Sequence, residues 1–457
     1  MSTEAIRDRI KQQARIKSAE GRQAETPAVP VVKAKKVGPI AFYDSNKNGY
    51  WSQNTRADWV NYSESSIRRI LKYQKFSSLT DKEALAAMID KELMGLQTEH
   101  DVAYAGPIAG YTHGLHTICN QRVLVTSGPK LIRPAEGNCQ FLKKFIEDLL
   151  RGEAKHLYAW LKSGLRSLYA GPEFRPGQML AIAGPAGCGK SLLQNVITEI
   201  FGGRSAKPYR YMIGETSFNS DLFAAEHLMI EDEAASNDLR IRRTFGSMLK
   251  NMIVNVTQSL HRKGREALSV SPFWRVTITL NDEPENLMVL PPLDESLRDK
   301  VTLLKAYMAE MPYVTDDMNG RKLFRQKLTD EIPAFLKFLQ GWRIPQMMLN
   351  KRYGVSAYQN ADLVQALLEL SPEAKLLNLI DSLMIWNVDM EPWKGTSREL
   401  EERLLEKDKS GRVAKLLNYN SACGVYLARL PRHFPDRVIK HEDRSRQIIW
   451  EIHRPTK

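Results

Sequence analysis

Eight residues in the middle of the chain, Gly184-Pro-Ala-Gly-Cys-Gly-Lys-Ser191, have the composition of a phosphate cradle. Glycines at such spacing let backbone N–H groups face inward toward an anion without a Cβ in the way. A lysine there reaches β- and γ-phosphates, and the following hydroxyl ligates Mg²⁺. Gly184, Pro185, Ala186, Gly187, Cys188, Gly189, Lys190 and Ser191 are therefore the expected binders of ATP, with Ser191 on the metal. The flanks agree. Met179–Ala183 reads as a buried strand, and Leu192–Phe201 has helical spacing that turns a positive helix end toward the same anion.

Three further groups could complete hydrolysis. His227-Leu-Met-Ile-Glu-Asp-Glu233 is a short apolar strand ending in three acids. An acid beside a phosphate loop holds Mg²⁺ while its neighbour orients or deprotonates water. Asp232 is assigned to the metal and Glu233 to the water; Glu231 takes the metal role if the register slips by one. Arg275-Val-Thr-Ile-Thr-Leu-Asn281 is a second buried strand ending in an amide. Asn281 either senses the γ-phosphate or only forms a turn. Arg298, in Leu293-Asp-Glu-Ser-Leu-Arg-Asp-Lys300, is a candidate arginine finger acting on a neighbour's phosphoryl group. Its bland alternative is an ion pair with Asp294, Glu295 or Asp299.

Cations cluster nearby. Val256–Pro272 reads as a β-hairpin whose tip, His261-Arg-Lys-Gly-Arg265, suits backbone phosphates and carries no base information. His261, Arg262, Lys263 and Arg265 are the expected DNA contacts there; a solvated tip is the alternative. Near the C-terminus, two helices (Thr396–Leu405 and Ser421–Phe434) precede a basic strand–loop–strand, a winged-helix-like pattern. Residues 412–457 hold ten Lys and Arg against four Asp and Glu. Arg429, Arg432, Arg444 and Arg446 are the expected DNA contacts of that module, unless it serves protein contacts.

The elements that must position these groups fall into six segments. Residues 1–38 read as a flexible basic tail and linker. Residues 39–137 read as a small α+β domain with hairpins among Phe42, Tyr43, Tyr50, Trp51, Trp59 and Tyr62, and helices at Ser66–Tyr73 and Asp81–Leu96. Those aromatics could stack bases, or simply fill a small core. Residues 138–175 read as a helical collar for oligomerisation. Residues 176–310 alternate strands and helices, which implies an α/β core with a parallel sheet. Residues 311–392 read as a helical extension with little signal after about residue 350. Residues 393–457 are the winged-helix-like module.

Composition limits the alternatives. The chain has 457 residues, 66 Lys and Arg against 53 Asp and Glu, and a formal charge of +13. Such a balance favours a polyanion, nucleic acid first. Apolar residues at 43% exclude wholesale disorder, and no apolar run approaches the roughly 20 residues of a spanning helix. Cys119, Cys139, Cys188 and Cys423 form no CxxC pair, which points to a reducing, cytoplasmic setting without membrane association. His113 and His116 read as ordinary polar histidines, since no third ligand accompanies them.

Taken in order, Gly184–Ser191, Ile230–Glu233, the Arg262-Lys-Gly hairpin, Thr279-Leu-Asn281 and Arg298 resemble superfamily 3 helicases, AAA+ ring ATPases of viruses, phages and plasmids. Within them the chain looks most like the helicase part of phage and prophage primase-helicase replication proteins. Tyr104–Gly110 and Leu124–Lys130 share in that likeness, and three consecutive acids depart from the pattern. The resemblance implies a homo-hexameric, ATP- and Mg²⁺-dependent DNA helicase. It would move 3′→5′ on single-stranded or forked DNA in a bacterial host cytoplasm, with His261 and Lys263 in the channel. No polymerase-type primase domain is evident, so a separate primase or polymerase is the expected partner. The alternative is an ATP-switched initiator or loader that binds DNA without unwinding it.

Overall fold

The computed structural model describes residues 41–171, 174–231, 239–262, 266–309, 317–383, 391–442 and 447–455. The expected tail at 1–38, Asp232, Glu233, Lys263, Arg265, Arg444 and Arg446 lie outside the described residues.

The aromatic-rich start of the described chain forms an antiparallel run of β1 (Phe42–Asp44), β2 (Gly49–Gln53) and β3 (Trp59–Tyr62). Helices α1 (Glu64–Gln74) and α2 (Lys82–Glu99) follow, capped by the side chains of Ser63 and Asp81. Ile67, Leu71, Ile89, Leu93 and Leu96 pack on Tyr50 of the sheet. Strand β4 (Asp101–Val102) returns parallel to β1. A second small sheet combines β5 (Tyr104–Gly106), β6 (Gly114–Ile118) and β7 (Gln121–Val125) in the order β5-β7-β6. Tyr104, Ile108, Tyr111, Ile118, Val123 and Val125 share one apolar core with the central sheet. This second sheet is therefore packed onto the centre.

Two helices, α3 (Gln140–Leu150) and α4 (Ala154–Ala170), lead into that centre. The turn between them passes through Arg151 at φ +48. Next come β8 (Met179–Ala183), α5 (Lys190–Ile200), β9 (Ser205–Ala206), β10 (His227–Ile230) and α6 (Leu239–Val254). A two-stranded hairpin, β11 (Gln258–Leu260) with β12 (Leu268–Val270), precedes β13 (Arg275–Leu280) and β14 (Val301–Lys305). Five strands form one parallel sheet in the order β14-β8-β13-β10-β9. Strands β8, β10 and β13 are buried at every position, as a parallel sheet covered on both faces requires. Their side chains alternate between two cores. Met179, Ala181, Leu228 and Ile278 face one, with Phe245 and Leu249 of α6. Leu180 and Ile182 face the other, with Leu193 and Ile197 of α5 and the α3–α4 pair.

The expected helices near 310–350 are α7 (Met318–Asp330) and α8 (Ile332–Gly341). After a short ribbon of β15 (Leu349–Asn350) and β16 (Gly354–Val355), two more helices occupy the stretch that carried little signal. These are α9 (Ala361–Glu369), capped by Asn360, and α10 (Pro372–Leu383).

The C-terminal unit contains β17 (Trp393–Gly395), α11 (Ser397–Lys407) and α12 (Arg412–Leu416). Helix α11 opens on a reciprocal capping box between Thr396 and Glu399. The single helix expected over Ser421–Phe434 is two: α13 (Ala422–Leu427) and α14 (Leu430–His433). Pro431 sits in the first turn of α14, where its missing N–H costs nothing but prevents one continuous helix. Strands β18 (Val438–Glu442) and β19 (Ile448–Ile452) form the expected pair. Strand β17 adds a third, giving the order β17-β19-β18. Among the described residues, no helix is long and apolar enough to cross a membrane.

Candidate nucleotide site and cationic hairpin

Strand β8 ends at Ala183, the loop 184–189 follows, and α5 begins at Lys190. Gly184 comes so close to the neighbouring strand that a Cβ would lie 2.4 Å from the carbonyl oxygen of Ala306. Gly189, at φ +108, starts α5 in a left-handed conformation and offers no side-chain cap. The first N–H groups of α5 are thus left for an outside acceptor, and the helix dipole favours a negative one. Burial pushes the Cys188 thiol up, so the loop carries no competing thiolate.

Lys190 is buried and folds back over its own loop. Its Nζ donates to Gly184 O at 2.6 Å, Pro185 O at 2.7 Å and Asn281 Oδ1 at 3.2 Å. Asn281 directly follows β13, which is paired with β8 in register up to Leu280↔Ala183. The parallel pairing alone brings these two residues together.

A buried polar network fixes α5 on the sheet beneath them. Gln194 donates to Thr277 Oγ1 at 2.7 Å and to Ile230 O, and its Oε1 accepts from Thr279. His227 is wholly buried, with Nδ1 2.7 Å from Thr198 Oγ1 and Nε2 2.8 Å from Thr277 Oγ1. Burial lowers its pKa to about 3, so the imidazole is neutral. This network orients the cradle; its members are too deep to meet a substrate.

Glu231 lies at the same edge of the sheet, whereas Arg298 precedes β14 and lies at the opposite, amino end of the parallel strands. Glu231 directly follows β10, with Oε2 3.9 Å from Lys207 Nζ. Arg298 is exposed and makes no ion pair with Asp294, Glu295 or Asp299. Asp294 instead accepts from Ser296, and Asp299 holds Lys300. Among the described residues no acid pairs with the Arg298 guanidinium.

The strands of the expected hairpin pair antiparallel, with Gln258↔Val270 and Leu260↔Leu268 in register. Its base is pinned by Asn219, whose Oδ1 accepts from the His261 N–H at 2.8 Å and whose Nδ2 donates to Ser259 O. His261 is exposed. Arg262 departs from an exposed-tip position: its guanidinium lies over the Tyr104 ring, 4.9 Å from the centroid. Two of its nitrogens are buried without a hydrogen-bond partner. Asp44, fully buried nearby, has its pKa raised by burial against the opposing charges of Lys47 and Arg262.

The fold has solved counterparts. Two apo structures of the NrS-1 C-terminal region match with TM-scores of 0.52 and 0.50. Their identities are 14% and 12%, over 91% and 90% of this chain and 96% of theirs. The likeness establishes a shared architecture across nearly the whole chain. A JCV helicase structure matches at a TM-score of 0.29 over 51% of this chain, which is too loose to argue from. Residues 182–297 match the profile of a family described as of unknown function (DUF5906). No curated protein matches.

Elsewhere, two expected DNA contacts are engaged within the chain. Arg429 lies 3.7 Å from Glu373 and Arg432 lies 3.9 Å from Glu295. One organising group escaped the sequence reading. Glu226, fully buried before β10, is held by the Arg204 guanidinium and accepts from the Gly110 N–H at 2.7 Å. Arg204 also donates to Ser127 O and Ile108 O. The segments Tyr104–Gly110 and Leu124–Lys130 are thus clamped to the central sheet. A buried Glu before a strand and an Arg after two glycines were visible, but nothing in their spacing paired them.

Proposed function

We propose that the chain is an ATP-dependent DNA helicase of the superfamily 3 (AAA+) type, a replicative motor of a phage or mobile element. The observation that carries this reading is the junction of Lys190 and Asn281 at the mouth of an uncapped helix, with Glu231 closing the neighbouring strand. Such an arrangement accepts a triphosphate along the carboxyl ends of parallel strands.

The chain's own groups divide the work. Lys190 exchanges its carbonyl partners for β- and γ-phosphate oxygens. Asn281, released from Lys190, faces the γ-phosphate or the attacking water. Glu233 orients and deprotonates that water. Ser191 and Asp232, or Glu231 one step earlier, would hold Mg²⁺, which neutralises charge on the phosphates when bound. Arg298 is the finger supplied to a neighbouring copy, which requires a head-to-tail ring, here a homo-hexamer. The hairpin, with His261 and Lys263, moves a threaded strand in the 3′→5′ direction.

Strand displacement on a forked duplex tests this. ATP-dependent unwinding that needs a 3′ tail and is lost in Lys263→Ala, with basal ATPase retained, is the expected result. ATP-dependent binding with no displacement on either fork polarity supports an initiator or loader instead.

A further inference from the structure

Two neighbours at the hairpin tip part company. His261 is exposed, whereas the Arg262 guanidinium lies 4.9 Å from the centroid of the Tyr104 ring. Tyr104 begins β5 and is buried, and its hydroxyl donates to Pro107 O at 3.1 Å, so the ring is a fixed platform. Asp44 stands close to both. It ends β1 and pairs in register with Val102, two residues before Tyr104. The turn after Asp44 is tied to the same segment by Asn46, whose Nδ2 donates to Ala103 O at 2.9 Å. Three elements distant in sequence thus bring a carboxylate, a ring and a guanidinium to one place.

Both charged groups are left incomplete. Asp44 is wholly buried, and neither carboxylate oxygen accepts a hydrogen bond of ordinary geometry. Nε and Nη1 of Arg262 are buried without an acceptor. Burial raises the Asp44 pKa; the charges of Lys47 and then Arg262, followed by the N–H groups of Asn46 and Lys47, act the other way. Lys47 itself lies over the Trp51 ring, 5.4 Å from the centroid. A charge withdrawn from water without a partner in contact is costly. The inward position of Arg262 is therefore shallow: the ring face and the attraction of Asp44 hold it, and its unspent donors oppose it. A phosphate outside offers that planar fork the contacts it lacks.

We propose that Tyr104 and Asp44 park Arg262 against the N-terminal sheets while no strand is bound, and that a backbone phosphate of single-stranded DNA draws it outward. Asp44 then sets how readily the hairpin tip engages the strand, because the parked fraction lowers the apparent affinity. The parked position stands on the contacts above. The phosphate that empties it rests on the helicase reading.

The test uses the full chain and Asp44→Asn, which keeps the shape of the side chain and removes its charge; Asp44→Ala replaces it should the melting temperature fall. Trypsin cuts after an arginine only when that side chain enters the protease, so a parked Arg262 is cut slowly. Mass spectrometry follows this cut and, as the reference for global unfolding, the cut after Lys162, which is buried in α4. In Asp44→Asn the cut after Arg262 should quicken severalfold while the cut after Lys162 stays unchanged. Affinity for a fluorescent oligo-dT without nucleotide should rise about threefold, and the gain should vanish when Arg262→Gln is added. An unchanged cut after Arg262, or an equal rise at both sites, overturns the parked position. A quickened cut with unchanged oligo-dT affinity keeps the parked position and overturns the phosphate as what empties it. Failure to unwind forked DNA, alongside both expected changes, removes the helicase reading and leaves Arg262 parked as described.

Discussion

Lys190 Nζ and Asn281 Oδ1 meet at 3.2 Å across the ends of two adjacent parallel strands. Among the described residues the cation that would grip a triphosphate is held by one amide, two carbonyls and, more distantly, the Cys188 sulfur, with no acid among these partners. Neutral partners are weaker than charged ones, so phosphate oxygens can replace them. The contact also places the amide where it can register whether Lys190 has moved.

Lys190→Ala is expected to lower ATPase activity at least a hundredfold while far-UV circular dichroism stays unchanged. The lysine's carbonyl partners at Gly184 and Pro185 lose one donor at the edge of solvent, which costs about 1 kcal/mol of stability. Wild-type turnover would remove the nucleotide assignment from the loop.

Asn281→Asp puts a carboxylate 3.2 Å from Lys190, in place of the amide oxygen. The resulting ion pair competes with the substrate, so KM for ATP is expected to rise more than tenfold. Asn281→Ala leaves Lys190 freer and should lower kcat with little change in KM. Steady-state kinetics separate the two; a turn-forming Asn predicts neither change.

Much of this site was legible because its chemistry is local. The loop lies between a five-residue apolar strand and a helix, and each reads from a short window. The acidic strand and Asn281 were legible as strand ends, but their proximity to Lys190 depends on the sheet order, which no local pattern encodes. Helices α9 and α10 fall within the stretch read as a helical extension, but their bounds were not located although Asn360 and Pro372 mark their starts. Apolar pairs such as Leu363-Val364 and Leu376-Leu377 blur the distinction between helix and strand. Partners far apart in sequence were invisible, as with Glu153, which accepts from Asn360 across 207 positions. Arg262 was read as a free cation because Tyr104, its ring partner, lies far upstream.

His227 makes stability depend on pH. Its folded pKa of about 3 lies below the ordinary 6.5, so the unfolded chain takes up the extra proton. The contribution is complete above pH 6.5 and declines as pH falls toward 3. His156, lowered to about 4 by burial against Tyr358, acts in the same direction. Urea unfolding of the wild type should therefore weaken between pH 7 and pH 5. In His227→Gln the fall over that interval should be shallower, from a lower starting stability. An identical slope in both proteins would mean that His227 does not carry the effect.

The central claim is that each site is completed by the neighbouring copy, and subunit mixing tests it most directly. Lys190→Ala lacks a working cradle but keeps Arg298; Arg298→Ala lacks the finger but keeps the cradle. Each alone should be nearly inactive. An equimolar mixture pairs an intact cradle with an intact finger at about one interface in four of a randomly assembled ring. The ATPase rate of the mixture should then recover to about a quarter of the wild-type rate. A mixture no more active than the mean of its two components, or full activity of Arg298→Ala alone, would contradict the claim.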